Sequence, residues 1–365
     1  MHGARKIVWF PKPFRMWRGG VLEDVQIAYE TWGRLTPARD NVVLILTGLS
    51  PGAHLASSAD DPSPGWWEQM VGPEQAIDTD RFFVICINSL GSCHGSTGPA
   101  SPDPRSGIRY GPRFPVLTIE DIAIAARQTL CLLGIHEVRA VIGPSLGGMS
   151  ALAYALLFPD EVRALVTISA ATRSTPFAIA IRSLQREAIR SDPAWKGGEY
   201  EVEAPPRTGL RLARKLGLIS YRSASEWQAR FARERLEIRP TDAGLFDPEF
   251  EVEAYLEHHA EKFVGTFDAN CYLFLSRSMD IFDVAEHGGT VEAGLGWIRA
   301  ERTLVIGVES DLLFPLWQQR EIVDGLRHNG REVEFSVLPS LQGHDSFLVD
   351  MERFCPAIGS FLSRV

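Results

Sequence analysis

Val138-Arg-Ala-Val-Ile142, then Gly143-Pro-Ser145-Leu-Gly147, then Gly148 and Met149 running on to Phe158 and stopped by Pro159: this stretch decides the architecture. A short β-branched run, a turn built on G-x-S-x-G, and an apolar helix-like segment read as strand, elbow and helix, with a serine at the elbow. Leu146 carries an N–H that can turn onto a developing oxyanion. Gly147 and Gly148 let the start of the helix come close to the sheet. The same pentapeptide occurs at Gly48-Leu-Ser50-Pro-Gly52, but there Pro51 has no N–H to offer and Pro/Ser/Asp-rich sequence follows instead of a helix. Ser145 is therefore the candidate nucleophile, and Ser50 is not.

Outward from the elbow the pattern repeats. Val42–Thr47, Phe82–Ile87, Val162–Ile168, Thr303–Val308 and Glu332–Leu338 are short apolar runs, the signature of strands buried on both faces. Thr118-Ile-Glu-Asp121 is a capping box opening a helix to about Leu133. Strands alternating with helices predict an α/β fold, a mostly parallel sheet flanked by helices. Between them, Phe177–Arg190, Gly209–Leu216, Glu226–Leu236 and Phe250–Phe263 are charged and helix-like. The expected organisation is one core, 1–171 and 297–365, interrupted by a helical lid insertion at 172–296.

The 365 residues, 45% hydrophobic and 23% charged, suit a globular chain with a sizeable core. The net charge of −9 argues against a nucleic-acid partner, which needs a basic face. No apolar run approaches the roughly 18 residues of a membrane span, and Pro11 and Pro13 break any signal-like stretch. Five cysteines without a C-x-x-C pair support neither a disulfide framework nor a zinc ribbon. With no H-E-x-x-H, P-loop or dinucleotide motif, no metal and no resident cofactor are expected. These features predict a soluble, cytoplasmic protein.

A serine nucleophile needs a base and an orienting acid, which on this kind of scaffold follow it in the order Ser, Asp or Glu, His. Asp311 follows the Thr303–Val308 run and His344 follows Glu332–Leu338, both at strand C-terminal ends where open α/β sheets place their sites. The other histidines fit less well. His258 and His259 sit in an acidic helical segment, and His136, His287 and His328 neighbour residues typical of exposed loops. His54 and His94 follow strand ends and belong near the pocket, without serving as the base. The predicted triad is Ser145, Asp311 and His344. A second oxyanion donor is expected from the loop after the first core strand, at Leu46, which leaves Gly48, Leu49, Ser50 and Pro51 as pocket wall.

Together with Tyr29-Glu-Thr-Trp-Gly33, Gly91-Ser-Cys-His-Gly-Ser-Thr-Gly-Pro99, Phe267-Asp-Ala-Asn270 and Gly343-His-Asp345, these segments make the chain similar, over nearly its whole length, to the homoserine O-acyltransferases of the α/β-hydrolase fold. The resemblance implies that Ser145 takes an acyl group from acyl-CoA and passes it to an amino-acid hydroxyl by ping-pong transfer, feeding amino-acid biosynthesis, and that the protein is a homodimer. It also implies that Arg214 receives the acceptor carboxylate and Asp345 its amino group; alone, Arg214 reads as a surface charge on an amphipathic helix.

Two departures refine this. Where the acetyl-transferring members usually read Leu-Thr-Gly-Asp-Ser-His, this chain reads Leu46-Thr-Gly-Leu-Ser-Pro51, and where they usually carry Asn in the lid it has Arg182. Both features resemble the subgroup that succinylates L-serine, which supplies cysteine biosynthesis. Arg182 then offers a bidentate partner for the succinyl carboxylate, although in sequence it reads equally well as a solvent-facing charge. The expected substrates are succinyl-CoA and L-serine. The alternatives are acetyl-CoA with L-homoserine or L-serine and, more distantly, a serine esterase.

Overall fold

Eight strands form the central sheet: β1 (Lys6–Trp9), β2 (Gln26–Trp32), β3 (Val42–Leu46), β4 (Phe83–Ile87), β5 (Val138–Pro144), β6 (Val162–Ile168), β7 (Arg302–Val308) and β8 (Glu332–Leu338). The structure is a computed structural model that describes residues 3–237 and 244–365. In space the strands run β1-β2-β4-β3-β5-β6-β7-β8. The pairs β1/β2 and β2/β4 are antiparallel; every later pair is parallel. The expected α/β-hydrolase architecture is thus present, with six of the strands falling within a residue or two of the apolar runs quoted above.

The helices are α1 (Ile119–Leu132), α2 (Leu146–Leu157), α3 (Pro176–Ser191), α4 (Arg207–Tyr221), α5 (Ala224–Phe231), α6 (Glu251–Val264), α7 (Ala269–Ile281), α8 (Leu316–His328) and α9 (Met351–Leu362), with shorter turns between. α1 opens on the predicted capping box: the Thr118 N–H and hydroxyl donate to the Asp121 carboxylate at 2.8 and 2.9 Å, and the Asp121 N–H returns a bond to Thr118 Oγ. Alternation along β3 divides the core between the two sheet faces. Val42, Leu44 and Leu46 join the apolar cluster containing α1 and α2, whereas Val43 and Ile45 pack with Phe354, Ile358 and Phe361 of α9. Helices α3 to α7 all lie between β6 and β7, which are neighbours in the sheet. The insertion therefore leaves and returns at adjacent strands, so the parallel core closes beneath it.

Sequence reasoning passed over α8, between two strands it did read, and three further elements. β1 is mostly exposed and β2 carries Gln26, Glu30 and Thr31, so neither reads as a continuous apolar run. Helix α7 has apolar residues all round, and its buried Asn270, Ser276 and Ser278 break the helical stripe that marks a surface helix. Helix α5 stops at Phe231 instead of continuing to Leu236. No helix among the described residues is long and apolar enough to cross a membrane.

Candidate active site

Ser145 sits between the end of β5 and the first residue of α2 with φ 57° and ψ −123°, a backbone conformation that residues with a side chain rarely adopt. Its neighbours hold the strain. The Ser145 N–H donates to Ile168 O at 2.9 Å, and the Ser145 carbonyl accepts from Gly148 N–H at 2.9 Å. The glycines are required by space: a Cβ on Gly143 would meet Gly147 O at 2.0 Å, and one on Gly147 would meet Leu46 O at 2.1 Å. That second contact brings the end of β3 against the start of α2, so the two predicted oxyanion residues, Leu46 and Leu146, come from abutting segments.

The predicted triad is assembled. His344 Nε2 and Ser145 Oγ are 2.8 Å apart, and His344 Nδ1 and Asp311 Oδ2 are 2.8 Å apart. The other carboxylate oxygen of Asp311 accepts the N–H groups of Leu313 and Phe314, each at 2.9 Å. Burial pushes the Asp311 carboxyl upward, but the charge and hydrogen bond of His344 and the Phe314 N–H more than offset this and hold it below its ordinary value. The Phe314 ring stacks on the imidazole at 4.8 Å and Phe347 meets it edge-on at 5.6 Å, which fixes the ring plane. All three triad side chains are buried. Such an arrangement can activate a hydroxyl for attack on an acyl carbonyl.

Ser145 and His344 open into a cavity that also takes in the side chains predicted to bind or select substrate; His54 and His94 do not line it. Gly48, Leu49, Ser50 and Pro51 line one wall, Arg182 and Arg214 reach it from α3 and α4, and Asp345 follows the catalytic histidine. Arg182 is buried, not solvent-facing. Its Nε donates to Asp280 Oδ1 at 2.6 Å and its Nη2 to Ser174 Oγ at 2.5 Å. Asp280 is shared with Arg186, whose Nη2 lies 2.6 Å from Oδ2. Arg214 rests its guanidinium over the Phe263 ring at 4.6 Å, and its buried Nε has no hydrogen-bond partner among the described residues. Asp345 lies 3.2 Å from Arg222 Nε, and burial lifts its carboxyl above the ordinary value against the pull of Arg222, His344 and Arg214.

Sequence reasoning missed Asp280, Ser174, Arg222 and Tyr221, the last lining the cavity with its ring 6.0 Å from that of His344. None lies in a recognisable motif or in the charged runs quoted above, and their contacts come from helices meeting in space. Of the remaining histidines, His94 donates Nε2–H to Ser50 O at 3.1 Å and so anchors the cavity loop, while His54 is held by Glu30 at 2.8 Å. His136 and His328 are exposed, as expected. The reading of His287 as an exposed loop residue is corrected: its side chain is buried, 3.0 Å from Glu120 and beside the Trp17 ring, because a short 3-10 turn folds it back onto α1.

Comparison with known proteins agrees with this geometry. The α/β-hydrolase fold family matches residues 41–350. The chain is 56% identical over 364 residues to the serine O-succinyltransferase of Litchfieldella anticariensis, covering 100% of this chain and 99% of that one. It is 54% identical over 366 residues to the L-serine/homoserine O-acetyltransferase of Streptomyces lavendulae, covering 99% and 98%. Among solved structures, the homoserine O-acetyltransferase from Bacillus anthracis aligns with a TM-score of 0.90 at 30% identity over 99% of this chain and 97% of that one.

Proposed function

Because the chain belongs to the serine O-succinyltransferase branch of the α/β-hydrolase-fold O-acyltransferases, we propose that it moves a succinyl group from succinyl-CoA to the hydroxyl of L-serine through an acyl-enzyme on Ser145. One observation carries the reading: the cavity around Ser145 presents two arginines and an aspartate. O-succinyl-L-serine carries two carboxylates and one ammonium. Arg182 suits the succinyl carboxylate, Arg214 the amino-acid carboxylate and Asp345 the ammonium, with the scissile ester at Ser145 between them.

The steps follow from the contacts. His344 Nε2 accepts the Ser145 proton as Oγ attacks the thioester carbonyl, and the N–H groups of Leu46 and Leu146 receive the oxyanion. The tetrahedral adduct collapses, the C–S bond breaks, and the CoA thiolate takes the proton back from His344. The L-serine hydroxyl then enters, gives its proton to His344 and attacks the acyl-enzyme. Collapse releases O-succinyl-L-serine and returns the proton to Ser145 Oγ. Throughout, Asp311 fixes the Nδ1–H tautomer and stabilises the imidazolium. Acyl-CoA acts as co-substrate, and no resident cofactor is required.

We place the enzyme in the cytoplasm as a homodimer. Phe177 and Leu184 on α3 and Leu212 and Ile219 on α4 remain about half exposed at seven-residue spacing, an apolar lid surface that a second copy would cover. Sedimentation of the wild type against Leu184→Glu tests that assignment. The substrate assignment is tested by CoA release over acetyl- or succinyl-CoA with L-serine or L-homoserine. The highest kcat/KM is expected for succinyl-CoA with L-serine. Preference for acetyl-CoA, or free succinate as the main product under saturating L-serine, would overturn it.

A further inference from the structure

Two of the five cysteines meet where the lid joins the core. Cys93 lies in the Gly91–Pro99 loop and Cys271 in the first turn of α7. Asp268, the N-cap of α7, donates its N–H to Cys93 Sγ at 3.4 Å and accepts the Cys271 N–H on its carboxylate at 2.9 Å. Asp268 thus neighbours both cysteines, touching Cys93 at its sulfur and Cys271 at its backbone N–H. Cys93 is partly exposed and Cys271 is buried. We propose that this pair is a redox modification site, which closes to a reversible disulfide when a hydroperoxide reaches the loop.

The electrostatics fit an attacking and a resolving thiol. The hydrogen bond from Cys271, opposed by burial and aided by the Asp268 N–H, brings the Cys93 thiol below its ordinary value; burial pushes Cys271 well above. Cys131 and Cys355 are also partly exposed, but burial raises both. Thiolate character and access therefore coincide at Cys93. The Cys93 thiolate attacks a hydroperoxide oxygen, the O–O bond breaks, and the departing alkoxide takes the Cys271 proton to leave as the alcohol. The Cys271 thiolate then attacks the sulfenic sulfur, and the hydroxide expelled leaves as water with the proton that Cys93 had released to solvent. Two thiols lose two electrons, and one hydroperoxide becomes an alcohol and a water.

Closure has a route to the active site. The residue after Cys93 is His94, which holds the Ser50 carbonyl of the cavity loop, and the residue after Cys271 is Tyr272, which lines the cavity. Drawing the sulfurs together to about 2.05 Å shifts both walls. A displacement near 1 Å costs up to about 100-fold, so the oxidised enzyme should lose about ten- to a hundred-fold in kcat/KM for L-serine.

The reduced full-length chain is treated with hydrogen peroxide, alkylated and mapped by mass spectrometry, and assayed before oxidation, after it and after dithiothreitol. A Cys93–Cys271 peptide that forms before Cys131 or Cys355 is modified, with activity lost and then restored, is expected. Cys93→Ser and Cys271→Ala should keep basal activity and lose the reversible inhibition. Sulfinic acid at Cys93 with Cys271 still alkylated, or equal inhibition of Cys271→Ala, would overturn the proposal. The mapping of the wild type decides the matter even if a variant fails to fold. It also does not depend on which acyl group the enzyme transfers.

Discussion

Replacing Arg182 by asparagine tests the acyl-reading role proposed for it. In the structure Arg182 and Arg186 share one carboxylate, Asp280, and none of these three side chains is more than 14% exposed. Two guanidiniums against one carboxylate leave one positive charge in excess at the cavity wall, which on the proposed reading the succinyl carboxylate neutralises. In Arg182→Asn, Asp280 keeps Arg186, so no buried carboxylate is orphaned, but the excess charge is gone. A charge-assisted hydrogen bond contributes about 1.5–3 kcal/mol, and about 1.4 kcal/mol is a factor of ten. The expected loss in kcat/KM for succinyl-CoA is therefore about 10- to 150-fold, with acetyl-CoA flat or improved because it brings no carboxylate to bury. Arg182→Lys should fall between, since one ammonium cannot serve Asp280, Ser174 and an incoming carboxylate with the geometry of a planar fork. Thiol release from each donor at saturating L-serine measures this. If both donors decline in parallel, Arg182 only braces the lid and the charge argument fails.

Mixing the enzyme with succinyl-CoA alone should give one acyl adduct by intact mass, absent in Ser145→Ala and retained in Ser50→Ala; a ternary-complex kinetic pattern with no adduct would refute the ping-pong reading. L-serine should be preferred to L-homoserine by roughly 10- to 200-fold, because one methylene in a shaped pocket is worth about 1–3 kcal/mol; equal turnover would remove the role given to Gly48–Pro51. Burial raises the Asp121 carboxyl at the start of α1 to about 6 despite its three hydrogen bonds from Trp17 and Thr118. Folding thus favours its protonated form, so its contribution to stability is full below the unfolded carboxylate value and is lost as pH rises through about 6. Asp121→Asn should flatten that slope by up to about 3 kcal/mol between pH 4 and 6.5 in urea melts, and an unchanged slope would show that the group titrates normally.

What could be read from the chain and what could not divide along a physical line. The elbow, the triad and the parallel strands were legible because each depends on local sequence: a serine needing a strand before it and a helix after it, carboxylate and imidazole at strand ends, and apolar runs buried on both sides. The cavity loop Gly48–Pro51 was legible for the same reason, since Pro51 disqualifies one serine and leaves the loop free to be wall. Asp280, Arg222 and Ser174 were not, because their meaning comes from α3, α4 and α7 meeting across the insertion at long sequence separation. Arg182 shows the boundary well. Its presence could be seen, but whether it faced solvent or the cavity depended on Asp280, about a hundred residues away.

The charge layout also says why this scaffold transfers instead of merely hydrolysing. The triad comes wholly from the core: Ser145 follows β5, Asp311 follows β7 and His344 follows β8. The two arginines proposed for recognition come wholly from the insertion, Arg182 on α3 and Arg214 on α4. Water can satisfy the core but offers nothing to the lid. On the proposed reading an amino-acid acceptor satisfies both, because its carboxylate meets the Arg214 guanidinium, whose buried Nε has no hydrogen-bond partner among the described residues. That interaction exists only when the acceptor is seated, so its free energy favours attack by the amino-acid hydroxyl over hydrolysis without altering the catalytic groups. On this proposal the insertion selects both substrates from one side of the cavity, and the core performs the same chemistry on whichever acyl group and hydroxyl are admitted.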